Sequence, residues 1–144
     1  MGKLLVCPKN KGNTYKVCAY LKRNTDIDMK IIDNDEEFSV NEYEKIILSS
    51  GVYGGTPHGY LKDWIISLDE GEIKNTKFYL FLTWFGVDET DEKTKTEVDS
   101  LLKEKGVKLE DDYQTVYGQK FLIIRFGHPN KKELKRVSEW VQKL

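Results

Sequence analysis

With 144 residues, 39% of them hydrophobic and 33% charged, the chain is sized for a single domain, residues 1–144, built around one core. Its 23 basic and 24 acidic residues leave a formal net charge of -1, which gives no global field toward nucleic acid or an anionic membrane. Cys7 and Cys18 have neither disulfide-framework nor zinc-ligand spacing, and the first apolar run ends at Pro8, too short for a signal peptide or a membrane span, so a cytoplasmic protein with free thiols is expected.

Taken in chain order, four short apolar runs have strand length and are rich in β-branched or aromatic residues: Leu4 to Cys7, Met29 to Ile32, Ile46 to Leu48 and Phe78 to Trp84. Helical spacing separates them. Val17, Cys18 and Leu21 share one face, and Leu61, Trp64, Ile65 and Leu68 form a stripe at i, i+3, i+4 and i+7. Glu92 to Lys105 carries Val98, Leu101 and Leu102 and stops at Gly106, a residue suited to a left-handed helix end. A fifth strand follows, at Tyr113 to Tyr117 or at Phe121 to Phe126, with the first preferred. Lys131 to Leu144 closes the chain as an amphipathic helix bearing Leu134, Val137, Trp140 and Val141. Alternating strands and helices without repeat or linker predict an α/β fold, a doubly wound five-stranded parallel sheet with helices on both faces.

In such sheets ligands bind beyond the carboxyl ends of the strands, where strand order reverses, which selects three loops. The first holds Pro8, Lys9, Asn10, Lys11, Gly12, Asn13 and Thr14 and runs directly into a helix. Glycine permits positive-φ turns and a helix N-terminus presents unpaired amides, so the segment can cradle a phosphate; a solvated, lysine-rich turn is the plainer alternative. The second, Ser49 to Tyr60, includes Gly51, Val52, Tyr53, Gly54, Gly55 and Thr56, and its glycines let backbone approach a flat ligand; a surface loop ahead of the helix started by Pro57 is the alternative. The third begins Thr83, Trp84, Phe85, Gly86, where one aromatic can stack on a ligand and the other pack into the core. His58 and His128 have no partner in the sequence that would assign them catalysis. Lys131, Lys132, Lys135 and Arg136 are interleaved with Glu133 and Glu139, a solvated helix face rather than a nucleic-acid surface.

Gly12-Asn13-Thr14 resembles the end of the flavodoxin phosphate loop, with Lys9 and Lys11 standing where that family usually has Ser or Thr. The resemblance extends over essentially the whole chain. It implies flavin mononucleotide (FMN) as cofactor, with Lys9 to Thr14 on the phosphate, and with Gly51 to Thr56 and Trp84 framing the ring. Tyr53 would lie against a ring face and Gly54 near the flavin N5. No side chain is needed as acid or base, and no metal is implied. The implied function is electron transfer to redox partner proteins or a small electron acceptor. An oxidoreductase related to menaquinone-dependent protoporphyrinogen oxidase and a flavin-free interaction module of the same fold are the alternatives. The near-neutral charge weakens the carrier reading, because flavodoxin carriers are usually strongly acidic.

Two other chemistries use this architecture. A low-molecular-weight tyrosine phosphatase needs a Cys, five residues and an Arg; here Cys7 is followed at that distance by Asn13, so the guanidinium clamp is missing. A response-regulator receiver needs carboxylates at the ends of the first and third strands, where this chain has Cys7-Pro8 and Ser49-Ser50.

Overall fold

The computed structural model describes residues 2–34, 36–118 and 127–144. Five strands, β1 (Gly2–Cys7), β2 (Asp28–Ile31), β3 (Tyr43–Gly51), β4 (Lys77–Trp84) and β5 (Gln114–Tyr117), form one parallel sheet in the order β2-β1-β3-β4-β5. The connecting helices are α1 (Asn13–Asn24), α2 (Gly59–Ser67), the short α3 (Glu70–Ile73) and α4 (Thr90–Lys103); α5 (Lys131–Lys143) ends the chain. Among the described residues no helix is long and apolar enough to cross a membrane.

The central strands β1, β3 and β4 are buried on both faces along most of their length, which is why they read as continuous apolar runs rather than alternating ones. Leu4, Val6, Ile46, Leu48, Leu80 and Leu82 pack on one side against Leu61 and Ile65 of α2 and Val98 and Leu102 of α4. Leu5, Cys7, Ile47 and Phe81 pack on the other against Val17, Cys18 and Leu21 of α1 and Val137, Trp140 and Val141 of α5. Each fully buried aliphatic side chain contributes roughly 1.5–3 kcal/mol. With α1 and α5 on one face and α2, α3 and α4 on the other, the sheet is doubly wound, as the element order predicts.

β3 runs well past the apolar stretch Ile46 to Leu48, because Ser49 and Ser50 continue it in fully buried positions. Their hydroxyls are satisfied locally: Ser49 donates to the Val6 carbonyl at 2.7 Å, and Ser50 donates to the Gly51 carbonyl at 2.6 Å while accepting from the His58 N–H at 2.8 Å. The preferred fifth strand is the one observed, and Phe121 to Phe126 lies outside the described residues. Gly106 has φ 83 just beyond α4; its N–H donates to Lys103, and that of Val107 to Leu102, closing the helix end.

α5 starts with a capping box. The Asn130 side chain accepts from the Glu133 N–H at 2.9 Å, and Glu133 accepts from the Asn130 N–H at 3.1 Å. The same carboxylate takes the Tyr117 N–H at 2.7 Å and pairs with His128, tying the end of β5 to the helix. Burial pushes this carboxyl up, but the bonds from Tyr117, His128 and Asn130 outweigh it and hold it below the usual glutamate range. A depressed folded-state pKa means that the stabilisation is present above about pH 4.5 and is lost as pH falls through the carboxyl's own, lower titration. Glu133→Ala is therefore expected to lower unfolding free energy by roughly 2–3 kcal/mol at pH 7, with the gap to wild type shrinking toward pH 3. Urea unfolding at the two pH values checks this; a gap independent of pH would show that the ionised carboxylate is not what stabilises the junction.

Candidate cofactor site

Strand order reverses between β1 and β3, because the chain leaves β1 to one side for β2 and then crosses it to enter β3. The crevice beyond their carboxyl ends is lined by Pro8, Lys9, Lys11, Gly12, Asn13, Thr14, Gly51, Val52, Tyr53, His58, Thr83 and Phe85. All three sequence-selected loops therefore meet in one cleft.

Gly12 caps α1 with φ 94, a conformation that L side chains rarely adopt, and a Cβ there would meet nothing within 4 Å. The cap has no side chain to bond the first-turn amides, and that turn contains no acidic residue. Amides in the first turn of a helix find no carbonyl within the helix, so this end keeps its partial positive charge, with Lys9 and Lys11 beside it. Thr14 is joined to Thr83 by a hydroxyl–hydroxyl bond of 2.7 Å, which fixes the start of α1 against the end of β4. Gly118, just beyond β5, matters for the same junction: a Cβ on it would stand 2.5 Å from the Asn13 side-chain nitrogen.

The β3–α2 loop contains a two-residue turn. Tyr53 and Thr56 exchange backbone bonds of 2.9 and 3.2 Å, and between them Gly54 and Gly55 both have positive φ, 62 and 90, as a type I′ turn requires. The Tyr53 ring folds back over Gly51, where a Cβ would lie 2.9 Å from its hydroxyl. Tyr53 is still half exposed at the cleft mouth, and burial of the rest of the ring raises its phenol pKa. His58 follows, with its Nδ1 accepting from the Tyr60 N–H at 3.0 Å to cap α2.

Of the aromatics in the third loop, Phe85 lines the cleft, whereas Trp84 is stacked on Tyr117 at 6.2 Å with planes 6° apart. Asn10, Gly54, Gly55, Thr56 and Gly86 belong to the three loops without lining the cleft, Gly55 being buried against Lys93. Pro8, in the first loop but outside the residues assigned to the ligand, and His58, set aside in the sequence, both line the cleft, while Gly118 carries no sequence signal. Cys7 is fully buried and gives its thiol to the Lys9 carbonyl at 3.2 Å, so the group on which a phosphatase reading depends has no access to a substrate. Among the described residues there is no cluster of three or more His, Cys, Asp or Glu placed to hold a metal.

The family profile described as "Flavodoxin domain" matches residues 7–123, from the last residue of β1 to beyond β5. The chain belongs to the flavodoxin-domain family. Its fold matches the oxidised flavodoxin 1 of Bacillus cereus with a TM-score of 0.69 at 16% identity, covering 100% of this chain and 99% of that one. A flavodoxin from the domain Archaea gives 0.69 at 13% identity, over 96% of this chain and 92% of that one. Rubredoxin oxygen:oxidoreductase from Desulfovibrio gigas gives 0.65 at 9% identity, covering 99% of this chain and 35% of the longer one. No curated protein sequence matches.

A flavin nucleotide fits the donor set of the flavodoxin cleft at its phosphate end: a positive-φ glycine, an uncapped helix start and two lysines. Val52, Tyr53 and Phe85 line the same cleft and would adjoin the flavin ring.

Proposed function

We propose that the protein, read as the single domain 1–144, binds FMN and passes electrons through it to redox partner proteins or a small electron acceptor in the cytoplasm. The observation that carries the reading is the convergence of Gly12, Lys9 and Lys11 with the Gly51-Val52-Tyr53 segment in one cleft at the strand-order reversal. Lys9, Lys11, Gly12, Asn13 and Thr14 would hold the phosphate, while Gly51, Val52, Tyr53 and Phe85 would hold the ring. The bound flavin supplies the redox chemistry. The chain supplies anion binding at α1, an apolar wall against the ring, and partial exclusion of water.

A second reading, a flavin-dependent oxidoreductase acting on a small substrate, is favoured by the net charge of -1, which gives little steering toward a basic partner protein.

FMN rather than FAD is expected, because the chain has no GxGxxG turn of the kind that takes a pyrophosphate. Purified protein should be yellow, or become so with FMN, and should release FMN on heating; chromatography of the released flavin identifies it. FAD in that fraction would overturn the choice of FMN, and no binding with excess FMN would overturn the reading and leave a flavin-free module of the same fold.

A further inference from the structure

His58 stands in the wall of the cleft and caps α2, yet a cap alone does not call for an imidazole. Asn, Asp, Ser and Thr are the preferred residues there. Because Nδ1 accepts the Tyr60 N–H, it carries no proton, and the neutral ring holds its single N–H on Nε2. The ring is fixed from several sides. Its backbone N–H is held by the Ser50 hydroxyl, Tyr53 meets it edge-on at 5.6 Å and 79°, and Tyr60 packs on it at 4.8 Å and 50°. Lys9, from the β1–α1 loop, is the charged group that faces it; burial first and this lysine second push the imidazole pKa below its ordinary value, so the ring is neutral at pH 7. The cleft therefore contains a neutral, oriented N–H donor beside a cation.

We propose that His58 is a cofactor contact whose Nε2–H, aimed by the bond from Tyr60 to Nδ1, donates to an oxygen of the bound flavin nucleotide. This deepens the flavin reading above and rests on it. A phosphate oxygen and a ring carbonyl share the acceptor chemistry, and comparison of FMN with riboflavin separates them.

Amide side chains divide the two functions of the imidazole. In H58N a short amide oxygen can still cap α2, while nothing reaches as far as Nε2. H58Q and H58L both give up the cap, and only H58Q carries an N–H to the distance of Nε2. Flavin-fluorescence titrations and thermal unfolding of the flavin-free proteins are to be measured for all four. H58N is expected to unfold at the wild-type temperature and to bind FMN about five- to tenfold more weakly. H58Q and H58L are expected to share a lowered unfolding temperature, with H58Q binding FMN several-fold more tightly than H58L. A loss confined to FMN assigns the acceptor to the phosphate, and an equal loss for riboflavin assigns it to the ring. Wild-type affinity in H58N, or equal affinities in H58Q and H58L, would reduce His58 to a helix cap and overturn the proposal while leaving the flavin reading intact. Absence of flavin binding by the wild type would overturn that reading, and this one with it.

Discussion

Replacing Lys9 and Lys11 together by alanine is expected to weaken FMN binding by ten- to a hundredfold while changing riboflavin affinity by less than threefold. Both lysines line the cleft beside the uncapped start of α1, in the part of the loop where flavodoxins usually place hydroxyls. A hydrogen bond to a charged group contributes roughly 1.5–3 kcal/mol, and tenfold in affinity corresponds to about 1.4 kcal/mol. Lys11 is exposed, so solvent screens its share, and most of the effect is assigned to the half-buried Lys9. The alanines remove charge without altering φ at Gly12, so the helix end keeps its backbone donors and residual FMN binding persists. The difference between wild type and variant should shrink in high salt, because two of the interactions being compared are between ions partly open to water. Fluorescence titrations with both flavins at two ionic strengths measure this. Equal losses for FMN and riboflavin would place the lysines on something other than the phosphate, and the phosphate would then rest on the α1 amides alone.

The sheet was legible because its central strands are buried on both faces: Leu4 to Cys7 and Phe78 to Thr83 lie almost wholly in the core. What escaped the sequence reading was polar structure that is satisfied only by tertiary contacts. Ser49 and Ser50 extend β3 because Val6, Gly51 and His58 take up their hydroxyls, and no local pattern announces those partners. Helix α3 is four residues long, too short for periodicity, although Asp69 caps it by accepting from the Gly71 N–H at 2.8 Å. The three loops were legible from their position after strands and from their glycines. Within them, side-chain direction was not: Trp84 and Phe85 are adjacent aromatics, and only the stacking of Trp84 on Tyr117 decides which one is left to the cleft. His58 was set aside for want of a partner in the sequence. Its partners are a backbone N–H two residues on and a lysine from another loop, the kind of relation that the fold alone creates.

Gly54→Val is expected to narrow the separation between the two one-electron potentials of the bound flavin by about 40–130 mV while leaving oxidised-state FMN affinity within threefold of wild type. If FMN binds as proposed, the resemblance to flavodoxins implies that this peptide would lie near N5, the ring position whose protonation changes on reduction, where a glycine peptide could turn to offer its carbonyl. Gly54 and Gly55 both have positive φ, but they are not equivalent sites for a test. A Cβ on Gly55 would stand 3.3 Å from the Lys93 side chain, so a substitution there also disturbs α4. A Cβ on Gly54 would meet nothing within 4 Å, which leaves backbone strain as the only direct cost. For a non-glycine residue held in that region the strain is of order 1–3 kcal/mol, and larger for a β-branched one. For a single electron about 1.4 kcal/mol corresponds to about 59 mV, which sets the expected range. Because Tyr53, Gly54 and Thr56 are exposed and the turn is closed by the Tyr53–Thr56 bonds, strain can be relieved by opening the turn, and global stability should fall by no more than about 1 kcal/mol. Gly54→Asn is the control, since Asn tolerates the left-handed region and should retain much of the wild-type separation. Spectroelectrochemical titration of the three proteins gives both potentials for each. A separation unchanged in Gly54→Val would show that the Tyr53–Thr56 turn does not act on the flavin, and the ring would then have to lie elsewhere along the cleft mouth.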